Sequence, residues 1–209
     1  MDNFSHTISL LSLSMALGWA SGLNVYATVF MLGILGAMGS IVLPPDLLIL
    51  THPAVLMASG FMYVVEFFAD KIPGVDSGWD VLHTFVRIPA GVVLAAAAVG
   101  PVDPAVVFAA AIVGGVLSAG SHAGKAGIRV LINSSPEPFT NWTASVLEDI
   151  LVISGLWLAL THPYLFLLLL VGFVLFMLWL LPRLWKAIRR LFGAIARFFG
   201  KKTDPLKIE

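Results

Sequence analysis

Cysteine is absent from the 209 residues of this chain, and Lys and Arg are absent from its first 70. Without cysteine there is no disulfide, no thiolate metal ligand and no thiol nucleophile. Only 11% of the residues are charged, whereas 59% are hydrophobic and the mean hydropathy is +0.96. This composition differs from that of a soluble domain and predicts an integral membrane protein. Because the net charge is zero, the chain has no overall positive electrostatic potential to attract nucleic acid, and nucleic-acid binding is not expected.

Apolar runs bounded by Gly, Pro and polar residues predict about six membrane-spanning helices. They cover approximately residues 8–37, 53–72, 79–99, 104–132, 140–160 and 164–182. The first and fourth runs are long for one upright crossing and contain several glycines, so each is a candidate for a broken or re-entrant helix. The second, fourth and sixth runs begin near a proline, which favours three helix pairs. The predicted fold class is therefore all-α, a polytopic membrane helical bundle.

All twelve Lys and Arg residues lie at or beyond Lys71, beside the loops after the second and fourth runs or in the tail. Cytoplasmic loops accumulate Lys and Arg, and this bias sets the orientation. The sequence therefore predicts a multi-pass protein of the cell (inner) membrane with both the N and C termini cytoplasmic. Residues 1–182 are predicted to form the transmembrane domain. Residues 183–209 are predicted to form a basic amphipathic tail with a helix in the headgroup region of the lipid bilayer.

Four of the apolar runs carry polar or ionisable residues at helical spacing near their cytoplasmic ends. Charged side chains at the centre of a bilayer cost about 2.5–3.5 kcal/mol each, so their positions mark function. We expect these four stripes and the turns beside them to converge on one polar centre. The candidate residues of this ion or solute pathway are Glu66, Asp70, Asp80, His83, Arg87, His122, Lys125, Arg129, Glu137, Asn141, Glu148 and Asp149.

Carboxylates outnumber cations in this region. From Glu66 to Asp149, leaving out Asp103, the sequence has seven carboxylates and four Lys or Arg residues. Pairing across helices explains part of this arrangement, but even full pairing leaves carboxylates over. The excess favours a water-filled cavity, a proton or a bound cation. No cofactor is predicted; a divalent cation suits the oxygen ligands, although no recognised metal-site spacing is present.

Three stretches form a recognisable combination: Ala20-Ser21-Gly22-Leu23-Asn24, the stretch from Glu66 to Arg87, and Asn133-Ser134-Ser135-Pro136-Glu137-Pro138 with Asn141, Ser145, Glu148 and Asp149. They resemble a bacterial membrane family catalogued as domain of unknown function 4126. The resemblance covers roughly residues 8–160. It implies a bacterial multi-pass protein and brings no activity, substrate or assigned site.

Three functions compete at this point. The favoured one is a transporter or channel for a small ion or solute, with a cation or a proton as the first choice. The second is a non-catalytic scaffold or assembly protein, since Gly120 and Gly124 allow close helix approach within one chain or in a homo-oligomer. The third is an intramembrane enzyme acting on a phosphate-bearing lipid headgroup held by basic residues. No catalytic motif appears, so an enzyme is the less favoured class and no catalytic residue is assigned.

Overall fold

A computed structural model describes residues 3–72, 74–134 and 138–200, and these residues contain no β-strand. The elements are α1 (Asn3–Ala37), a short 3-10 helix (Pro45–Thr51), α2 (Pro53–Ala69), α3 (Val75–Ala98), α4 (Pro104–Ile132), α5 (Pro138–Thr161) and α6 (Pro163–Gly200). The predicted all-α membrane bundle is confirmed. Within the described ranges, five helices are long and apolar enough to cross a membrane. The number is six when the 3-10 helix and α2, bent by 68°, are taken as one span.

The helices α2 and α4 each begin with a proline that follows a capping residue. Pro53 and Pro104 occupy the first turns of α2 and α4, where a missing N–H costs nothing. The side chain of His52 accepts a hydrogen bond from the backbone of Ala54 at 3.2 Å, and α4 has the equivalent cap at Asp103. His52 is therefore a helix-capping residue.

The outer surface of the bundle is apolar, as a lipid-facing surface must be. Large side chains such as Phe61, Phe85, Phe108 and Leu168 are 68%, 80%, 69% and 68% exposed. Charged residues of α2 to α5 lie on the inside instead, because the bilayer core cannot solvate them. The chain is thus organised as a multi-pass membrane protein.

The helix α1 is broken at Asn24, whose φ of −151° and ψ of 99° are not helical. The Asn24 side-chain oxygen accepts a hydrogen bond from the Ala27 N–H at 2.9 Å, which is the arrangement of a helix N-cap. Residues 3–23 therefore form one half of α1, and residues 25–37 form a second half with its own start. Both halves are central, since α1 packs against every other α-helix.

Both halves of α1 reach the same end of the bundle. His6 at the start of α1, residues 41–45 after it, and residues 99–102 between α3 and α4 line one cavity of about 780 Å³. Near the start of α1, Ser12 donates a hydrogen bond to the backbone of Ala159 in the last turn of α5 at 3.1 Å. α1 thus folds back on itself as a helical hairpin. We call this the hairpin end of the bundle and the other, which carries Lys71 and the α4–α5 turn, the basic end.

The first described turns of α1 and the last described turns of α6 lie at opposite ends of the bundle, whereas the sequence predicted both termini on one side of the membrane. The final helix α6 begins beside the first half of α1, where Phe166 and Trp19 are in edge contact, and reaches Gly127 near the basic end through Leu184. The starts of α1 and α6 therefore lie towards the hairpin end, and the last turns of α6 lie at the basic end. Because Lys and Arg are absent before Lys71, the charge bias carried no information about the N-terminal segment.

The fourth apolar run is a single unbroken helix, and its glycines allow close packing. A Cβ added at Gly18 of α1 would lie 2.6 Å from the Cα of Gly114 in α4. This distance leaves no room for a side chain at position 18, so α1 can approach α4 closely only with glycine there. The run after Pro182 continues α6 without interruption to Gly200, across the predicted domain boundary.

Candidate functional site: a buried ionic cluster

Eight charged side chains from four helices meet between the break in α1 and the basic end. They are connected by ion pairs, and the exposed fraction of each side chain is 13% or less. We call this set the ionic cluster; its members are Glu66, Asp70, Asp76, Asp80, Arg87, Lys125, Arg129 and Glu148. Glu66 and Asp70 are four residues apart at the end of α2, and Lys125 and Arg129 are four residues apart on α4. This spacing puts both side chains of each pair on the same face, which is the face towards the bundle interior.

Arg87 of α3 joins α2 to α3. Its guanidinium is fully buried, donates to Glu66 Oε1, and donates to Asp80 Oδ1 at 2.8 Å. Asp80 lies two turns earlier on the same helix, so of these two carboxylates only Glu66 belongs to another helix. The pairing removes the cost of burying an isolated guanidinium.

Lys125 of α4 has the largest number of carboxylate neighbours. Its Nζ lies 2.8 Å from Asp70, 3.2 Å from Glu148, 3.7 Å from Glu66 and 3.9 Å from Asp80. These carboxylates belong to α2, α3 and α5. A single ammonium group thus attracts three helices to α4.

Arg129, one turn further along α4, extends the cluster towards the basic end. It donates to Glu148 Oε2 at 2.8 Å and to the side-chain oxygen of Asn141 at 2.5 Å. It also donates to the backbone oxygen of Asp70 at 2.7 Å and lies 3.5 Å from Asp76. These contacts engage both terminal nitrogens of a fully buried guanidinium, whose Nε has no partner within the described part of the chain.

Asp76 connects the turn before α3 with the turn after α4 through hydrogen bonds. Its carboxylate accepts two hydrogen bonds from the Asn133 amide, at 2.7 and 2.9 Å, and further bonds from the backbone of Gly74 and Ser77. Asn133 follows α4, whereas Asp76 opens α3. The sequence placed both residues in turns and did not predict their contact, which depends on how the two turns pack.

The break in α1 meets the ionic cluster from the hairpin side. The last carbonyl before the break, that of Leu23, accepts a hydrogen bond from Lys125 at 3.1 Å. At the break, the Asn24 amide donates to Asp149 Oδ1 of α5 at 3.1 Å. A cation therefore faces the carboxyl end of one half-helix and an anion lies at the amino end of the other, as the helix dipoles favour. The sequence indicated a break in this run but did not include Asn24 among the candidate site residues.

The two histidines of the predicted site have different roles. His122 receives a hydrogen bond on Nδ1 from Arg87 at 3.1 Å, because a guanidinium only donates, so its proton lies on Nε2 towards Thr84 at 2.7 Å. His83 faces the Trp79 carbonyl with Nδ1 and the Tyr26 hydroxyl with Nε2 at 3.0 Å. His122 thus belongs to the cluster as a neutral acceptor, and His83 lies in a separate aromatic contact.

Carboxylates are in excess at this site. Adding Asp149 to the cluster gives six carboxylates against three cations among the described residues; Lys71 lies outside, over the ring of Phe67. Four buried carboxylate oxygens have no hydrogen-bond partner within the described part of the chain: Glu66 Oε2, Asp70 Oδ1, Asp80 Oδ2 and Asp149 Oδ2. Unpaired negative charge in a dry interior is unfavourable unless a proton or cation binds.

The predicted site residues thus converge, with two qualifications. Glu66, Asp70, Asp80, Arg87, Lys125, Arg129, Asn141 and Glu148 form one network, which touches His122 through Arg87 and approaches Asp149 through Asn24. His83 lies beside this network, and Glu137 lies outside the described residues. Within residues 3–72, 74–134 and 138–200, no three Asp, Glu or His side chains are arranged to hold a metal ion.

The comparisons with known proteins identify a family but no activity. No curated protein and no solved structure matches the chain. The sequence model of a family described as "Domain of unknown function (DUF4126)" matches residues 11–183, which extends the resemblance noted above through the membrane part of α6. This match covers well over half of the chain, and the chain belongs to the DUF4126 family.

Proposed function

We propose that this protein is a membrane transporter or channel that moves protons, or another small cation, through the ionic cluster. The observation that supports this most is the excess of buried carboxylates beside a broken helix. Six carboxylates with three cations leave a surplus of negative charge in a region that water does not solvate. A mobile positive species would neutralise that surplus while it is bound.

The break in α1 supports the same function. Transporters commonly place their ion sites where a helix is interrupted near mid-membrane, because the exposed half-helix ends carry partial charges. Here Lys125 faces the end of the first half and Asp149 lies at the start of the second. The interruption is therefore directly linked to the charged residues that would bind the transported species.

For the orientation, we propose an inner-membrane protein whose basic end is cytoplasmic and whose hairpin end faces the other side. Lys71 and the described basic residues of the last turns of α6 then lie on the cytoplasmic side, as the charge bias requires. The cavity of about 780 Å³ at the hairpin end would be the route of approach from outside. The start of α1 would lie outside as well.

The test is a flux assay on the purified protein in liposomes. Protons, monovalent cations and several divalent cations are each supplied as a gradient, with protein-free liposomes as the control. Thermal unfolding with each ion is measured in parallel, since a ligand that binds the native state raises its stability. Flux of one species above the control supports transport; the absence of both flux and stabilisation, in folded protein, rejects it.

A scaffold without a ligand is the second candidate, and one observation favours it. Every Lys and Arg of the ionic cluster is paired with at least two carboxylates, as in a network that only holds helices together. The four unpartnered carboxylate oxygens argue against this view. The same pairing disfavours an enzyme that would use these cations to hold a phosphate, because the cations are already engaged.

A further inference from the structure

We propose that Asp149 is the group that binds the proton, and that Asn24 couples its charge to the break in α1. This inference rests on the proposed function for its purpose, because it names the carrier within the same site. Its geometry, however, stands independently of whether transport occurs.

Asp149 differs from every other carboxylate of the site. Glu66, Asp70, Asp76, Asp80 and Glu148 each have a Lys or Arg nitrogen within 4 Å. Among the described residues, Asp149 has none, although only 9% of it is exposed. Its Oδ1 accepts one hydrogen bond from the Asn24 amide, and its buried Oδ2 has no partner in the described chain. A carboxylate without a cation is the first of the set to take up a proton.

The charged and titratable groups around Asp149 do not change this conclusion. From α2 it faces Glu66, Asp70 and the hydroxyl of Tyr63, which is a second, more distant hydrogen-bond donor to its carboxylate, and from α4 it faces Lys125. Lys71 acts on it from the end of α2, beyond ion-pair distance. The two α2 carboxylates oppose its ionisation, while Lys125 is already shared among four other carboxylates.

Asn24 connects this carboxylate to the backbone of α1 through both ends of its amide. The Nδ2 group donates to Asp149, and Oδ1 accepts from the Ala27 N–H at the start of the second half of the helix. The backbone carbonyl of Asn24 also accepts from the Thr28 hydroxyl at 2.7 Å. A change in the Asp149 charge therefore acts on the residue that caps the second half of α1.

The chemical step is a simple proton addition. A hydronium ion donates its proton to Asp149 Oδ2: one O–H bond of the hydronium breaks, one O–H bond forms on the carboxylate, and the products are water and a neutral carboxylic acid. The hydrogen bond from Asn24 then loses its charged acceptor and weakens, since bonds to ionised groups are about twice as strong. The surplus negative charge of the site falls by one.

Infrared difference spectroscopy tests this proposal directly. The purified protein in lipid is titrated with acid, and the carbonyl stretch of a protonated carboxylic acid is recorded. We expect a band that is lost in Asp149→Asn and kept in the control variant Asp46→Asn, which removes an exposed carboxylate outside the ionic cluster. Thermal melting confirms that each variant is folded.

A second variant tests the coupling. Ser is a good N-cap but is too short to replace the amide, so Asn24→Ser retains the cap and removes the bond to Asp149. Because the lost donor stabilised the ionised form, the pH at which the band is half-developed should rise by about one unit. An unchanged midpoint overturns the coupling.

The outcomes separate this inference from the proposed function. A band that survives in folded Asp149→Asn overturns the assignment of Asp149, even if the wild-type protein transports protons. A band that disappears with Asp149→Asn, in a protein without any flux, supports the assignment and rejects transport.

Discussion

Lys125 donates a hydrogen bond from Nζ to the carbonyl of Leu23 at 3.1 Å. The cation with the most carboxylate neighbours is therefore also the group that binds the end of the first half of α1. Through this one side chain the break in α1 and the ionic cluster become parts of the same structure. Its position on α4, about two helical turns before the end of that helix, places this contact at the break in α1.

Lys125→Met should strongly destabilise the protein. The variant leaves up to four buried carboxylates without their shared cation, and breaking a buried ion pair costs about 3–5 kcal/mol. Thermal unfolding in detergent should show a clear decrease in Tm. Lys186→Met, at an exposed position on α6, is the control and should change stability by no more than about 0.5 kcal/mol. Equal melting temperatures for the two variants would mean that the cluster does not hold the helices together.

Gly18→Ala should disrupt the close packing of α1 against α4 and lower the stability of the protein. The new Cβ would lie 2.6 Å from Cα and 2.8 Å from the carbonyl oxygen of Gly114, which are backbone atoms that cannot rotate away. Overpacking of this kind costs about 1–3 kcal/mol. The control is Gly172→Ala on α6, where no atom lies within 4 Å of the added Cβ. A melt in which Gly18→Ala is as stable as Gly172→Ala would show that the close approach is not required.

The absence of cysteine allows a direct test of the hairpin. Single cysteines at His6, Asp46 and Ser134 can be labelled on intact bacterial cells with a thiol reagent that does not cross the membrane. We expect His6→Cys and Asp46→Cys to react from outside, because both positions belong to the hairpin end. Ser134→Cys, which follows α4 at the basic end, should react only after the cells are opened. If His6→Cys behaves like Ser134→Cys, α1 crosses the membrane and the hairpin is wrong.

The helices that follow α1 were predictable because their signals are local. Prolines and capping residues mark where α2 and α4 begin, and the predicted boundaries lie within a few residues of those observed for α2 to α5. The convergence of charges on α2 to α5 was also predictable, since no charged side chain is stable against lipid. Helical spacing then determines which face of each helix must turn inward.

The position of the break in α1 and the identity of the unpaired carboxylate were not predictable from sequence. Gly18 and Gly22 are stronger helix-breaking signals than Asn24, yet the break is at Asn24, because Lys125 and Asp149 stabilise the two exposed half-helix ends there. Likewise, Glu148 and Asp149 are adjacent in sequence, and only the direction of each side chain decides which one meets a cation. The two contacts at the break join residues more than 100 positions apart.

The most direct test of the proposed function is flux through variants of the ionic cluster. Glu66→Gln and Glu148→Gln keep the size and hydrogen-bonding capacity of each side chain but remove its charge. In liposomes, both should reduce the flux of the species that the wild-type protein carries by at least about tenfold, since each tenfold step corresponds to only about 1.4 kcal/mol. Asp46→Asn, at an exposed carboxylate of the hairpin end, should retain wild-type flux. Wild-type flux in folded Glu66→Gln and Glu148→Gln would contradict a pathway through the cluster.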